Sequence, residues 1–165
     1  MASAEQRIPV VREVDVVAAR LACGELADAV GFGVIDKYRL AISVSELATN
    51  ILVHAGAGVI ELRETTGQHG VRGIEIVARD RGGGIEDVAL ALQDGYSTGA
   101  GLGCGLPGVA RLMSELHVAT EIGVGTTVRA VKWLEEPRTF SPGPAGLGRA
   151  METNVAKVPW ERDDR

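Results

Sequence analysis

Gly73-Ile74-Glu75-Ile76-Val77-Ala78-Arg79-Asp80-Arg81-Gly82-Gly83-Gly84 reads as a strand that runs directly into backbone suited to glycine. Ile74, Ile76 and Ala78 recur at every second position, the period expected when one face of a strand meets a core. Asp80 ends the strand, and the three glycines that follow it within Gly82-Gly83-Gly84 exceed what an ordinary Asp-Gly turn requires. Moving toward the N-terminus, Val59-Ile60-Glu61-Leu62-Arg63 alternates in the same way, and the loop at Gly67 to Gly70 joins the two strands into a hairpin.

Before this hairpin, Gly56-Ala57-Gly58 terminates a segment from Ile35 to His54 that has no internal Gly or Pro and carries Leu40, Ile42, Val44, Leu47, Ile51 and Leu52. That pattern predicts a long helix. A preceding helix is predicted from Glu13 to near Gly31, with Val14, Val17, Ala18, Leu21, Ala22 and Leu26 at helical spacing. Residues 6 to 11 predict a first strand, which Pro9 places at a sheet edge.

Beyond the hairpin, residues 81 to 105 are glycine-rich, with one short helical stretch near Glu86 to Leu92. The segment is too long for a simple connector. A helix from Pro107 to Glu115 follows, then strands from His117 to Ile122 and Thr126 to Leu134 around Gly123-Val124-Gly125. The order βαα ββ loop α ββ predicts an α/β (α+β) two-layer sandwich: helices on one face of a mixed, mostly antiparallel sheet. Residues 1–134 are expected to form this domain. Residues 135–165, rich in Pro, Gly and charge, are expected to be a flexible C-terminal extension with a docking spot at Trp160.

Composition narrows the function classes. The chain has 165 residues, 45% of them hydrophobic and 24% charged, which is enough for one core and no second catalytic domain. Net charge is −5, and no Lys/Arg stripe offers to neutralise a nucleic-acid backbone, so no nucleic-acid partner is expected. No stretch is apolar enough to suggest a membrane span or leader, and a cytoplasmic location is expected. Cys23 and Cys104 lack metal-ligand spacing and share no context, so neither a disulfide nor a zinc site is expected.

Four constellations carry chemistry. Glu46 and Asn50 lie one helical turn apart and emerge on one face, where the carboxylate can take a proton from a nucleophile and the amide oxygen can hold Mg²⁺. Asp80 can accept a hydrogen bond from the exocyclic amine of adenine, while Gly82 and Gly84 let the chain pass close to the ring. Gly99, Gly101, Gly103 and Gly105 occupy every second position before a helix, so their N–H groups and the helix N-terminus can face phosphates. Thr126, at the start of the last strand, can complete a polar network around a base. Gly103-Cys104-Gly105-Leu106-Pro107-Gly108 also satisfies a G-x-G-x-x-G pattern, but the polar Gln93-Asp94-Gly95-Tyr96-Ser97-Thr98 stands where a dinucleotide-binding fold needs a buried strand. No Gly-Lys pair exists to form a Walker loop.

In chain order, Glu46-Leu47-Ala48-Thr49-Asn50, Asp80-Arg81-Gly82-Gly83-Gly84, Gly101-Leu102-Gly103-Cys104-Gly105 and Gly125-Thr126-Thr127 resemble the four boxes of the GHKL (Bergerat-fold) ATPases. The likeness covers residues 6 to 134. Ser45-Glu46-Leu47 and Asp94-Gly95-Tyr96-Ser97-Thr98-Gly99 most resemble the anti-sigma and stressosome switch kinases of the RsbT type. The resemblance implies ATP and Mg²⁺ as cofactors. It also implies Asn50 as Mg²⁺ ligand, Glu46 as the residue that orients or deprotonates the acceptor hydroxyl, and Asp80 as adenine reader. Gly82 and Gly84 would flank the base; Gly99, Gly101, Leu102, Gly103 and Gly105 would form the glycine-rich lid over the triphosphate; Thr126 would support the adenine network.

The implied activity is serine/threonine phosphorylation of a STAS-domain antagonist or scaffold in bacterial partner switching, with a PP2C-type phosphatase or a sigma factor as further partners. The alternative is a nucleotide-gated binding module that sequesters a sigma factor or activates the phosphatase without catalysis. The chain departs from the family at Val53-His54, where an acidic or Tyr residue is usual, and at Cys104, which replaces Leu. A histidine kinase would need a dimerising helical hairpin bearing the phospho-acceptor, for which there is no room.

Overall fold

The computed structural model describes residues 5–93 and 105–134. A five-stranded sheet in the order β1-β2-β3-β5-β4 is built from β1 (Gln6–Val10), β2 (Gly58–Thr66), β3 (Arg72–Asp80), β4 (Glu115–Glu121) and β5 (Gly125–Trp133). Helices α1 (Glu13–Val30), α2 (Val34–Ala55) and α4 (Gly105–Leu112), with the single turn α3 (Val88–Ala91), complete the described domain. All four strand pairings are antiparallel, which corrects the mixed sheet expected from sequence. Hairpins create β2-β3 and β4-β5, and β5 enters beside β3 in the opposite direction, so no parallel crossover is needed.

Helix α1 begins where the Asp15 carboxylate accepts the Val11 and Arg12 N–H groups at 3.0 and 2.8 Å. It ends at Gly31, whose φ of 98° only glycine adopts without strain. Helix α2 stops in the same manner at Gly56 (φ 75°). Leu40, Val44, Leu47, Ala48 and Ile51 form its buried stripe, and Ala19, Cys23, Leu26, Ala27 and Val30 form that of α1. Burial of each Leu or Ile stabilises the fold by about 1.5–3 kcal/mol.

The core lies between these helices and one sheet face. Ile8, Ile60, Ala78, Val128 and Val118 form one continuous cross-strand rung on that face. Lys132, although it sits on the core side, is neutralised by Asp36 of α2 at 3.3 Å. Burial of Cys23 pushes its thiol pKa up to about 12.

Among the described residues, arginines rather than further helices lie over the other sheet face. Glu75 is fully buried beneath Arg63 and Arg129, which both bond to its carboxylate. Burial by itself raises the pKa of Glu75, but the two guanidiniums outweigh that effect and hold it below the ordinary carboxylate value. Glu61 is bridged in the same way by Arg7 at 3.3 Å and Arg79 at 3.1 Å.

Two helix boundaries differ from expectation. The short helix is confined to Val88–Ala91, because the Asp87 side chain accepts the Leu90 N–H at 2.9 Å and fixes its start. Helix α4 begins at Gly105 and ends at Leu112, and β4 already starts at Glu115.

Candidate functional site

The hydrophobic rungs of the sheet give way to a polar one at the end nearest the C-terminus of α2. Register aligns Val10, Gly58, Asp80, Thr126 and Thr120 across all five strands. Residues of one rung share a face, so Asp80 and the two threonines point to the same side as the apolar core rungs. Gly58 is required beside Asp80, since a Cβ there would lie 2.7 Å from Ile51 Cγ2 and 2.4 Å from the Arg79 carbonyl oxygen. The rung therefore lies against the last turns of α2.

The glycines after Asp80 shape the chain beside this rung. Asp80 Oδ1 accepts the Gly82 N–H at 2.8 Å, which folds the chain back over the strand end. A Cβ on Gly82 would come within 2.9 Å of both Ala55 Cβ and the His54 carbonyl oxygen. Gly84 has φ 80°, and a Cβ there would meet the Glu121 carbonyl oxygen at 2.6 Å. Gly83 has open space around it and binds through its backbone, its carbonyl accepting the Gly123 N–H at 3.0 Å. Residues 80–85 thus form a strap pressed between the end of α2 and the β4-β5 hairpin.

Glu46 and Asn50 stand one turn apart on α2. Asn50 is half-buried, whereas Glu46 is only 3% exposed. The Gly105 N–H donates to Glu46 Oε2 at 3.2 Å, so the carboxylate meets the first residue of α4, where helix partial charge is positive. Glu46 is thus a buried acid joined to the segment that follows the glycine loop. Gly99, Gly101, Leu102 and Gly103, with Cys104 and Asp94 to Thr98, lie outside the described residues, as does Trp160.

The structure brings Asp80, Gly82, Gly84 and Thr126 to one end of the sheet, and joins Glu46 of α2 to Gly105, with Asn50 one turn further along α2. It adds Thr120, which sequence reasoning did not single out, and shows why the fourth box opens on Gly125. Thr120 Oγ1 accepts the Ile85 N–H at 2.9 Å and lies 3.1 Å from Thr126 Oγ1. Gly125, with φ 149°, would place a Cβ 2.1 Å from the Asp80 carbonyl oxygen. The readable signal for Thr120 was the hairpin: a turn at Gly123 to Gly125 pairs Thr120 with Thr126 directly. This arrangement sets a carboxylate and two hydroxyls at one end of the sheet, where glycines allow the strap, α2 and the β4-β5 hairpin to approach closely.

Comparison with known proteins agrees with this geometry. Residues 10–132 match the histidine kinase-like ATPase domain. The chain is 43% identical over 127 residues to the serine/threonine-protein kinase RsbT of Bacillus subtilis, covering 77% of this chain and 95% of that protein. It is 34% identical over 102 residues to an anti-sigma F factor of Caldanaerobacter subterraneus subsp. tengcongensis, covering 58% of this chain and 69% of the relative. Among solved structures, one containing the RsbU and RsbW domains of a Mycobacterium tuberculosis protein superposes with a TM-score of 0.57 at 18% identity, a likeness of fold. That match covers 84% of this chain and 35% of the solved one.

Proposed function

This chain belongs to the histidine kinase-like ATPase domain family, and on that premise we propose that it transfers the γ-phosphate of ATP to a Ser or Thr hydroxyl of a STAS-domain partner. It is a serine/threonine-protein kinase of the partner-switching kind that RsbT represents. The observation that carries the site assignment is the polar rung of Asp80 and Thr126 against the end of α2, which carries Glu46 and Asn50, with glycines at each close approach.

In this reading the Asp80 carboxylate accepts the adenine amine, and Gly82 and Gly84 let the strap lie against the ring. Asn50 would hold Mg²⁺ through its amide oxygen; the ion supplies charge neutralisation for the phosphates when bound. Glu46 orients the acceptor hydroxyl or takes its proton, working from a buried position fixed by α2. Gly99, Gly101, Leu102 and Gly103 supply backbone N–H groups to the triphosphate, and Gly105, whose N–H is held by Glu46, anchors the end of that loop. Catalysis then rests on positioning and electrostatics, as phosphoryl transfer generally does. Residues 1–134 form the catalytic unit, and 135–165 an extension outside it. A PP2C-type phosphatase or a sigma factor is the further partner.

The test is incubation with labelled ATP, Mg²⁺ and a panel of STAS-domain proteins from the same organism. Label is expected on a Ser or Thr of the partner and lost in Asn50→Ala and Asp80→Asn. ATP binding without transfer to any STAS protein would refute the kinase assignment and support a nucleotide-gated binder instead.

A further inference from the structure

Helix α4 opens without a cap of its own. The first N–H groups of a helix lack an intrahelical partner. A Ser, Thr, Asn or Asp just before the helix usually supplies one, but Gly101-Leu102-Gly103-Cys104 offers no side-chain oxygen. Pro107 removes one of the unpaired groups because it has no N–H. The Gly105 N–H remains, and it donates to Glu46 Oε2 at 3.2 Å. The cap of α4 is therefore supplied by α2, 59 positions away in the chain.

This bond differs from a surface cap in two respects. Glu46 is 3% exposed, so its carboxylate meets an N–H at the positive end of a helix with little competing water. Leu106 and Val109 are buried as well and hold the first turns of α4 against the core. Only one carboxylate oxygen is engaged: among the described residues, Oε1 meets no donor.

Resting on the nucleotide reading above, we propose that Glu46 divides two jobs between its two oxygens. Oε2 caps α4 and so fixes the end of the loop that meets the triphosphate, while Oε1 is the oxygen left for the acceptor hydroxyl. In the transfer, the acceptor oxygen bonds to the γ-phosphorus as the bond to the β–γ bridging oxygen breaks. ADP leaves with that oxygen, and the hydroxyl proton passes to Oε1. The first job is a positioning role that governs ATP affinity; the second governs the transfer step alone.

The test uses the full chain and three measurements: hydrogen exchange of the Gly105 amide by NMR without nucleotide, Kd for ATP, and the rate of transfer to a STAS-domain protein. Glu46→Gln keeps an oxygen for the Gly105 N–H but cannot take a proton. Its Gly105 exchange and ATP Kd are expected to stay within about twofold of wild type while transfer falls at least ~100-fold. Glu46→Met keeps the volume and offers no acceptor. Its Gly105 amide is expected to exchange at least ~10-fold faster, with Kd for ATP raised about tenfold and transfer equally lost. Glu46→Ala repeats the comparison should Glu46→Met fail to fold. Equal Gly105 exchange and equal Kd in Glu46→Gln and Glu46→Met would overturn the proposal, because Glu46 would then serve the chemistry alone. Wild-type protein that binds no ATP would overturn the functional reading and the division of labour with it. The nucleotide-free exchange measurement tells the two failures apart.

Discussion

Substitution of Gly84 by alanine tests the strap directly. The residue has φ 80°, where an L-residue is disfavoured by about 1–2 kcal/mol. Its new Cβ would also stand 2.6 Å from the Glu121 carbonyl oxygen and 3.1 Å from Ile122 Cα. Both neighbours are backbone, so no side chain can rotate away, and β4 or the strap must move. Strain and displacement together are expected to destabilise the protein by about 2–4 kcal/mol. At roughly 3 °C per kcal/mol for a domain of this size, Tm falls by about 6–12 °C. Gly83→Ala is the internal control: nothing lies near its Cβ and its φ is ordinary, so its Tm changes by less than about 2 °C. Thermal melts followed by circular dichroism, paired with ATP titration at a temperature where both variants are folded, read the two effects separately. Gly84→Ala is expected to weaken ATP binding and Gly83→Ala to leave it unchanged. Equal melting temperatures for the two variants would refute the close approach of the strap to β4.

Three other outcomes follow from the structure. Asn50→Ala and Asp80→Asn are expected to reduce phosphate transfer at least 100-fold, a size set by loss of electrostatic positioning, with Asp80→Asn also raising the Kd for ATP in equilibrium titration. Glu75→Gln is expected to cost about 1–2 kcal/mol near neutral pH in urea unfolding, the value being moderated by the partial exposure of Arg63 and Arg129. Because the folded pKa of Glu75 lies below its unfolded value, its contribution is complete above the ordinary carboxylate range and is lost as pH falls through the folded value. The wild-type and Glu75→Gln stabilities should therefore converge in acid; a difference that grows as pH falls would contradict the ion triad. In a Cys104→Ser background, the buried Cys23 thiol should react with a thiol reagent at pH 8 only on unfolding, and prompt labelling of the native protein would show that this face of α1 is not packed against the core.

The strand ending in Asp80 and the helix ending at Gly56 were legible because period and punctuation agreed: alternation stops where glycine begins, and helical spacing stops at the next one. What sequence did not disclose depends on contacts between distant segments. Glu46 was legible as a candidate from its spacing to Asn50, but its burial and its bond to the Gly105 N–H, 59 positions away, were not. Glu75 occupies an alternating polar position and would be read as solvated, yet two arginines from β2 and β5 bury it completely. The ends of α3 and α4 shifted because capping by Asp87 and the early start of β4 overrode helix propensity.

The same logic explains why the candidate site lies where it does. An antiparallel sheet converts separate sequence positions into rungs, and side chains of one rung must share a face. The rung of Ile8, Ile60, Ala78, Val128 and Val118 is filled with hydrophobic side chains because the helices cover it. Two residues farther along each strand, α2 ends at Gly56 and apolar cover ends with it. Polar side chains can be placed there without stranding them in a dry core. Asp80, Thr126 and Thr120 satisfy one another or the strap, and Gly58 and Gly125 allow the neighbouring backbone to close around them. The four boxes are scattered from residue 46 to residue 127, but the rung register and the single helix α2 bring the described parts to one place. Their order along the chain is informative because topology, and not local composition, makes them neighbours.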